Sequence, residues 1–145
     1  YSYFYCMENK MKTLNYSRQR EALMKCLEGR RDHPTADALF QSLREEDPKI
    51  SLATVYRNLN LLTNAGKIRK ISCGDGTEHY DFVTDDHSHF ICKECGKIID
   101  LTMHPSSRTL HRYAENNEEI STIEGHSLIL YGYCKTCQEK RKKTS

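Results

Sequence analysis

Apolar residues recur at helical spacing in three stretches near the start of the chain. In residues 17–27, Leu23, Cys26 and Leu27 fall on one stripe, with Ser17 as a cap and Gly29 as a stop. The run from Ala36 to Glu46 turns Ala36, Leu39, Phe40 and Leu43 to one side, behind Thr35 as N-cap. Asp47-Pro48-Lys49 is a turn. Ser51 then caps a third helix from Leu52 to Ala65, closed by Gly66, with Val55, Leu59 and Leu62 inward and Thr54, Arg57 and Asn58 directed elsewhere. The period then drops to two. Ile68–Cys73 and His79–Val83 read as strands around the glycine-bearing loop Gly74-Asp75-Gly76-Thr77. Three helices followed by a hairpin describe a winged helix-turn-helix whose third helix is the reading element.

Thr84-Asp85-Asp86 is a polar hinge, dividing the chain into residues 1–83, a hinge at 84–86, and residues 87–145. Beyond it, His89–Cys92, Lys97–Leu101 and Ser127–Tyr133 read as strands. Ser106–Asn116 reads as a helix with Leu110, Tyr113 and Ala114 on one face. The fold class is therefore α+β: an N-terminal winged helix-turn-helix followed by a small α/β domain. Leu128-Ile129-Leu130-Tyr131 is apolar throughout, so both of its faces are expected to be covered, as at a subunit interface. From Glu139 onward a solvated basic tail is expected.

Composition adds bounds. The 145 residues are 37% hydrophobic and 29% charged, as in a soluble globular protein. No run approaches the ~18 apolar residues of a membrane span, and the tyrosine-rich opening lacks the basic flank of a secretory leader. A cytoplasmic protein is expected. Net charge is +2, unevenly spread: residues 1–73 hold 13 Lys/Arg against 8 Asp/Glu, and residues 74–145 hold 9 against 12. A basic first half joined to an acidic second half fits a nucleic-acid-binding module attached to a sensing or assembly module.

The candidate chemistry is metal binding. Cys92/Cys95 and Cys134/Cys137 are two Cys-x-x-Cys pairs, which together supply the four sulfurs of a closed structural Zn2+ site. A disulfide pair and a labile iron centre are the alternatives. Of the other cysteines, Cys26 reads as core filler, and Cys6 and Cys73 receive no role. His87 and His89 directly precede the first pair, placing a second, nitrogen-bearing site nearby. Ser51, Thr54, Tyr56 and Arg57 lie towards the N-terminal end of the reading helix, where side chains reach base edges or phosphates. Arg18, Arg20, Lys67 and Arg69 suit the phosphate backbone.

The runs His33-Pro34-Thr35-Ala36-Asp37, Ser51 to Leu59, His87-x-His89-x-x-Cys92-x-x-Cys95-Gly96-Lys97-Ile98-Ile99-Asp100 and Tyr131-Gly132-Tyr133-Cys134-x-x-Cys137 occur in that order. Together they resemble the ferric uptake regulator (Fur) family over roughly residues 14 to 138. The resemblance implies a homodimeric repressor that binds a palindromic double-stranded DNA operator when loaded with metal, its C-terminal domain serving dimerisation. It is closest to the peroxide-responsive, PerR-like branch, whose regulatory Fe2+ or Mn2+ ligands fall here on His33, Asp81, His87, His89 and Asp100. In that branch peroxide acts through the bound iron to oxidise a ligand histidine, here His33 or His87. Iron-sensing members usually carry glutamate where this chain has Asp81 and Asp100. Arg57 departs in the other direction, towards the iron-sensing reading helix, and an iron-sensing repressor of metal uptake genes is the alternative. Asp86 and Ser88 replace the usual ligands of an additional site, while His126 matches it. His79 and His104 lie near the ligands in sequence without belonging to the set, and His111 reads as a surface residue. No catalytic residue, small-molecule substrate or membrane partner is expected. A metalloenzyme on the zinc-deaminase template fails, since Cys92 follows Ile91, Cys134 follows Tyr133 and no His-x-Glu occurs.

Overall fold

The computed structural model describes residues 17–144. The tyrosine-rich opening and Cys6 lie outside them. The described residues form two units that divide after Thr84.

In the first unit, α1 (Arg18–Glu28), α2 (Ala36–Glu46) and α3 (Leu52–Asn64) precede the hairpin β1 (Arg69–Ser72) and β2 (Glu78–Asp81). Each helix starts where a hydroxyl replaces a missing backbone partner. Ser17 accepts from Arg20 N, Thr35 from Ala38 N and Ser51 from Thr54 N. The third helix stops one residue earlier than expected. Ala65 is its cap, and Gly66 turns the chain at φ +69°, the left-handed region that glycine enters without steric cost. Lys67 N then bonds Leu62 O at 2.9 Å, closing the helix end.

The three amphipathic faces meet in one core. Leu23, Leu27, Leu39, Val55, Leu59 and Leu62 are buried there with Ile68 and Tyr80 from the hairpin side. Cys26 packs against its edge, as read. Asn58 corrects the sequence reading. It is buried, because it lies beside Leu62 at the margin of the inward arc, and its amide nitrogen donates to Thr54 O at 3.1 Å. Both strands are shorter than expected; β1 and β2 pair antiparallel from Arg69↔Asp81 to Ser72↔Glu78.

The second unit is a three-stranded sheet ordered β4-β3-β5, from β3 (Ser88–Cys92), β4 (Ile98–Leu101) and β5 (Ile129–Gly132). β3 is central, antiparallel to β4 and parallel to β5. Helix α4 (Ser107–Glu115) buries Ala114, but Tyr113, assigned to the same face, is exposed, since helix α4 is covered only along a narrow strip. Within one chain the apolar strand β5 is not covered on both faces: Leu130 is 40% and Tyr131 52% exposed. The basic tail is exposed, as expected, but it is helical. Residues Lys135–Thr144 form helix α5. Its first turn holds buried Cys137, and Arg141 lies 4.1 Å over the Tyr133 ring and 3.4 Å from Glu94, so a mostly polar segment is anchored at both ends. Among the described residues no helix is long and apolar enough to cross a membrane.

The core assigns different weights to neighbours on α3. Leu59→Ala, at a fully buried position, should cost about 2–5 kcal/mol of stability, and exposed Tyr56→Ala less than about 0.5 kcal/mol. Urea melts of the two variants test this, and equal shifts would contradict the packing described.

Candidate metal centre

The second unit gathers four thiols. Cys92 ends β3, and Cys95 follows through a turn closed by Gly96 N to Cys92 O at 2.9 Å, with Gly96 at φ +71°. Cys134 and Cys137 flank the start of α5, where Gln138 N bonds Cys134 O at 2.9 Å. The second Cys-x-x-Cys is thus a helix entry. The parallel pairing Cys92↔Gly132 brings these two segments, 42 residues apart, to the same end of the sheet.

The sulfurs all lie within 4.8 Å of one another, and Cys95 Sγ and Cys134 Sγ are 3.9 Å apart. A disulfide requires about 2.05 Å. A tetrahedron of sulfurs about 2.3 Å from a zinc ion has edges of about 3.8 Å. The thiols are free and spaced for an ion, so the residues fit Zn2+ and exclude the disulfide alternative in this arrangement. Backbone N–H groups of Cys95 and Cys134 pull the Cys92 thiol down to about 6, the Cys134 N–H lying 3.3 Å from its sulfur. Cys137 is pushed up to about 12, chiefly by the Cys134 side chain and then by desolvation. The surroundings thus favour the thiolate of Cys92 and disfavour that of Cys137.

A second donor group lies on β3 and β4 of the same unit. His89 and Asp100 are register partners, and His87 stands two residues before His89 on the same side. His87 Nε2 and His89 Nε2 are 2.9 Å apart, and Asp100 Oδ1 is 3.6 Å and 3.4 Å from them. These three atoms could each lie roughly 2 Å from a shared ion, the usual length for imidazole and carboxylate ligands. The tautomer suits this. His87 Nδ1 bonds Asp85 O at 2.7 Å, and a carbonyl only accepts, so the proton is on Nδ1 and the Nε2 lone pair is available.

The first unit carries a smaller counterpart. His33 Nε2 is 3.7 Å from Asp81 Oδ2, both buried, while Asp81 Oδ1 accepts from Val83 N at 2.9 Å. His33 lies in the turn before α2, preceded by Asp32, whose carboxylate takes two bonds from the Arg30 guanidinium at 2.9 and 2.7 Å. That guanidinium holds the Asp32 carboxyl below its usual range. The five histidine and aspartate positions picked from the sequence thus form a pair in one unit and a triad in the other. His104 and His126 stack with ring centres 5.9 Å apart rather than converging on a point, and exposed His111 pairs with Glu115. The sequence reading left His79 without a function; its Nδ1 bonds the His33 carbonyl. Its only sequence signal was alternation with Asp81 along a strand.

On α3, Tyr56 and Arg57 are exposed beside Ala53 and Asn60, two positions the sequence reading did not pick. Ser51 and Thr54 are occupied with each other at the helix start, Oγ to Oγ1 at 2.9 Å. On α1, Arg18 is exposed and Arg20 half-buried.

The family model described as "Ferric uptake regulator family" matches residues 11–131. The chain is 37% identical over 122 residues to the peroxide-responsive repressor PerR of Staphylococcus aureus, covering 84% of this chain and 81% of that one. It is similar to the crystal structure of the Campylobacter jejuni peroxide stress regulator, with TM-score 0.63 and 35% identity over 82% of this chain and 88% of that one. It also resembles the Helicobacter pylori ferric uptake regulator Fur, a structure reported to reveal three functional metal-binding sites, with TM-score 0.72 and 25% identity over 94% and 91% of the two chains.

Acid should strip the four-sulfur site. Protons compete with the ion for sulfur, so Zn2+ affinity should fall about tenfold or more per pH unit on acidification, and Cys137→Ser should lower bound zinc below one ion per chain. Dye-release zinc assays across pH check both. A pH-independent affinity, or mass spectra showing the thiols oxidised in freshly reduced protein, would refute the assignment.

Proposed function

The chain belongs to the ferric uptake regulator family, and we propose that it is a cytoplasmic, homodimeric DNA-binding repressor that holds its operator when loaded with Fe2+ or Mn2+ and releases it in response to peroxide. The observation that carries this reading is the division of histidine–carboxylate donors between the two units, His33–Asp81 in one and His87, His89 and Asp100 in the other. An ion held by all five would tie the orientation of the two units across residues 84–86. Such an ion binds the joined arrangement better than any other and shifts the population towards it. Mixed imidazole and carboxylate donors suit Fe2+ or Mn2+, whereas four thiolates suit Zn2+. The zinc held by the four cysteines is the constitutive structural ion and the mixed site the regulatory one.

DNA contact is assigned to α3. Arg57 can pair bidentately with guanine and Tyr56 can pack on a thymine methyl. Ser51 and Thr54 stand at the helix N-terminus, and Arg18 and Arg20 neutralise phosphates. A second copy docked on the exposed β5 residues Leu130 and Tyr131 would place two reading helices about a two-fold axis, hence a palindromic operator.

Identity to the S. aureus and C. jejuni peroxide regulators supports the peroxide branch, as do the aspartates at positions 81 and 100. Ferrous iron, if bound among these donors, would supply the redox chemistry that activates peroxide, with no net loss of electrons from the metal. In net terms a ligand imidazole, at His33 or His87, gains one oxygen atom and loses two electrons while peroxide is reduced to water. The oxidised ring then loses its place among the donors, and the two units are released from one another. Arg57 and the likeness to H. pylori Fur support a second reading, an iron-sensing repressor of metal uptake genes. The role is regulatory and not enzymatic, since the oxidised side chain is consumed once.

Anaerobic operator binding tests the proposal. With zinc in place, Fe2+ and Mn2+ should each raise affinity at least about tenfold, the size of an ordinary allosteric coupling. Peroxide should abolish binding of the iron form but not the manganese form, with a mass gain of about 16 Da, one oxygen atom, on the peptide bearing His33 or His87. Indifference of the iron form to peroxide selects the iron-sensing reading, and equal affinity of the metal-stripped form overturns both. Arg57→Ala should relax specificity at one base pair at a cost of about 1–3 kcal/mol, read from binding to single-position operator variants.

A further inference from the structure

His33 is the one non-glycine residue at positive φ, +49°, among the described residues. A backbone in that region costs on the order of 1–3 kcal/mol and persists only where its surroundings hold it. Here they lie on β2. Tyr80 N bonds Pro34 O at 2.9 Å, Thr35 and His79 form an isolated antiparallel bridge, and His79 Nδ1 bonds the His33 carbonyl. Of these three ties, only the last is made by a side chain. Because a carbonyl only accepts, His79 must carry its proton on Nδ1. His79 and Asp81 are two residues apart on β2 and so project to one side of it. From that side, one grips the His33 backbone and the other faces its ring.

We propose that His79 is a positioning residue for the regulatory metal: by holding the His33 carbonyl it fixes the left-handed turn that directs the His33 imidazole towards Asp81, so metal affinity depends on a histidine that is not a ligand. The inference rests on the reading of His33 as a ligand. Residues that orient ligands without touching the metal commonly change affinity by about 10–100-fold. The unusual element here is the target. His79 holds the backbone of a ligand rather than its second ring nitrogen.

The test uses the zinc-loaded full chain and Mn2+ as probe, with free Mn2+ followed by electron paramagnetic resonance. His79→Leu removes the donor. His79→Asn keeps an N–H near the position of Nδ1. Affinity should fall about 10–100-fold in His79→Leu and stay within about threefold of the parent in His79→Asn. Equal loss in both variants with unchanged thermal melting would overturn the proposal, as would unchanged affinity in His79→Leu while His33→Ala binds poorly. Unchanged affinity in His33→Ala would instead overturn the ligand reading. Nitrogen NMR of the unmutated protein gives a check that no folding defect can obscure: the His79 ring should be the Nδ1–H tautomer, and the Nε2–H tautomer would refute the role.

Discussion

Four sulfurs held within 4.8 Å of one another are the constraint on which the second unit depends. The unit has few buried apolar side chains: Ile91, Ile98 and Ala114, with Cys92 and Cys137 among the best covered residues. So small a core contributes little net stability. Negative charge on several of those sulfurs would drive them apart, and a divalent cation turns the same proximity into attraction. Binding energy at such a site is largely folding energy. It joins the end of β3 to the start of α5, and so also holds β5 against the sheet.

The same sheet carries the histidine–aspartate group. His89 lies on the strand that ends in Cys92, and Asp100 is its partner on β4. Pinning one end of β3 with sulfur therefore limits the freedom of the two imidazoles near its other end. On the proposed reading, a permanent ion would prepare a surface on which an exchangeable one is sensed. The first unit contributes differently. His33 sits in a turn between two helices whose cores are fully buried, and its strained backbone is secured from the hairpin. A rigid three-helix core gives that turn a fixed base, and the same core fixes α3, the element assigned to DNA.

Charge does not separate the two units as sharply as it separates the two halves of the chain. Residues 1–84 hold 13 Lys/Arg against 11 Asp/Glu, because Asp75, Glu78 and Asp81 lie in the hairpin, and residues 85–145 hold 9 of each. Positive potential at a DNA-facing surface must therefore come from where the basic side chains sit and not from the net charge of the unit. In the second unit the basic residues concentrate on helix α5, anchored by Cys137 and by Arg141 against Tyr133 and Glu94.

Local spacing alone determined a great deal here. Helical periodicity and hydroxyl caps located α1, α2 and α3 to within a residue or two, because these signals act within one turn of chain. Two Cys-x-x-Cys pairs marked a metal site, because the geometry of each pair is local. The tertiary structure decided what depends on distant partners. Asn58 turned inward because α3 is covered over a wider arc than its apolar residues alone indicate. Lys135–Thr144 became a helix because Cys137 and Arg141 anchor it, although its composition reads as a solvated tail. Tyr113 stayed exposed because nothing in one chain packs on it. The role of His79 was illegible for the same reason: its partner, the carbonyl of His33, lies 46 residues away, and no pattern along the chain records a hydrogen bond to a backbone oxygen.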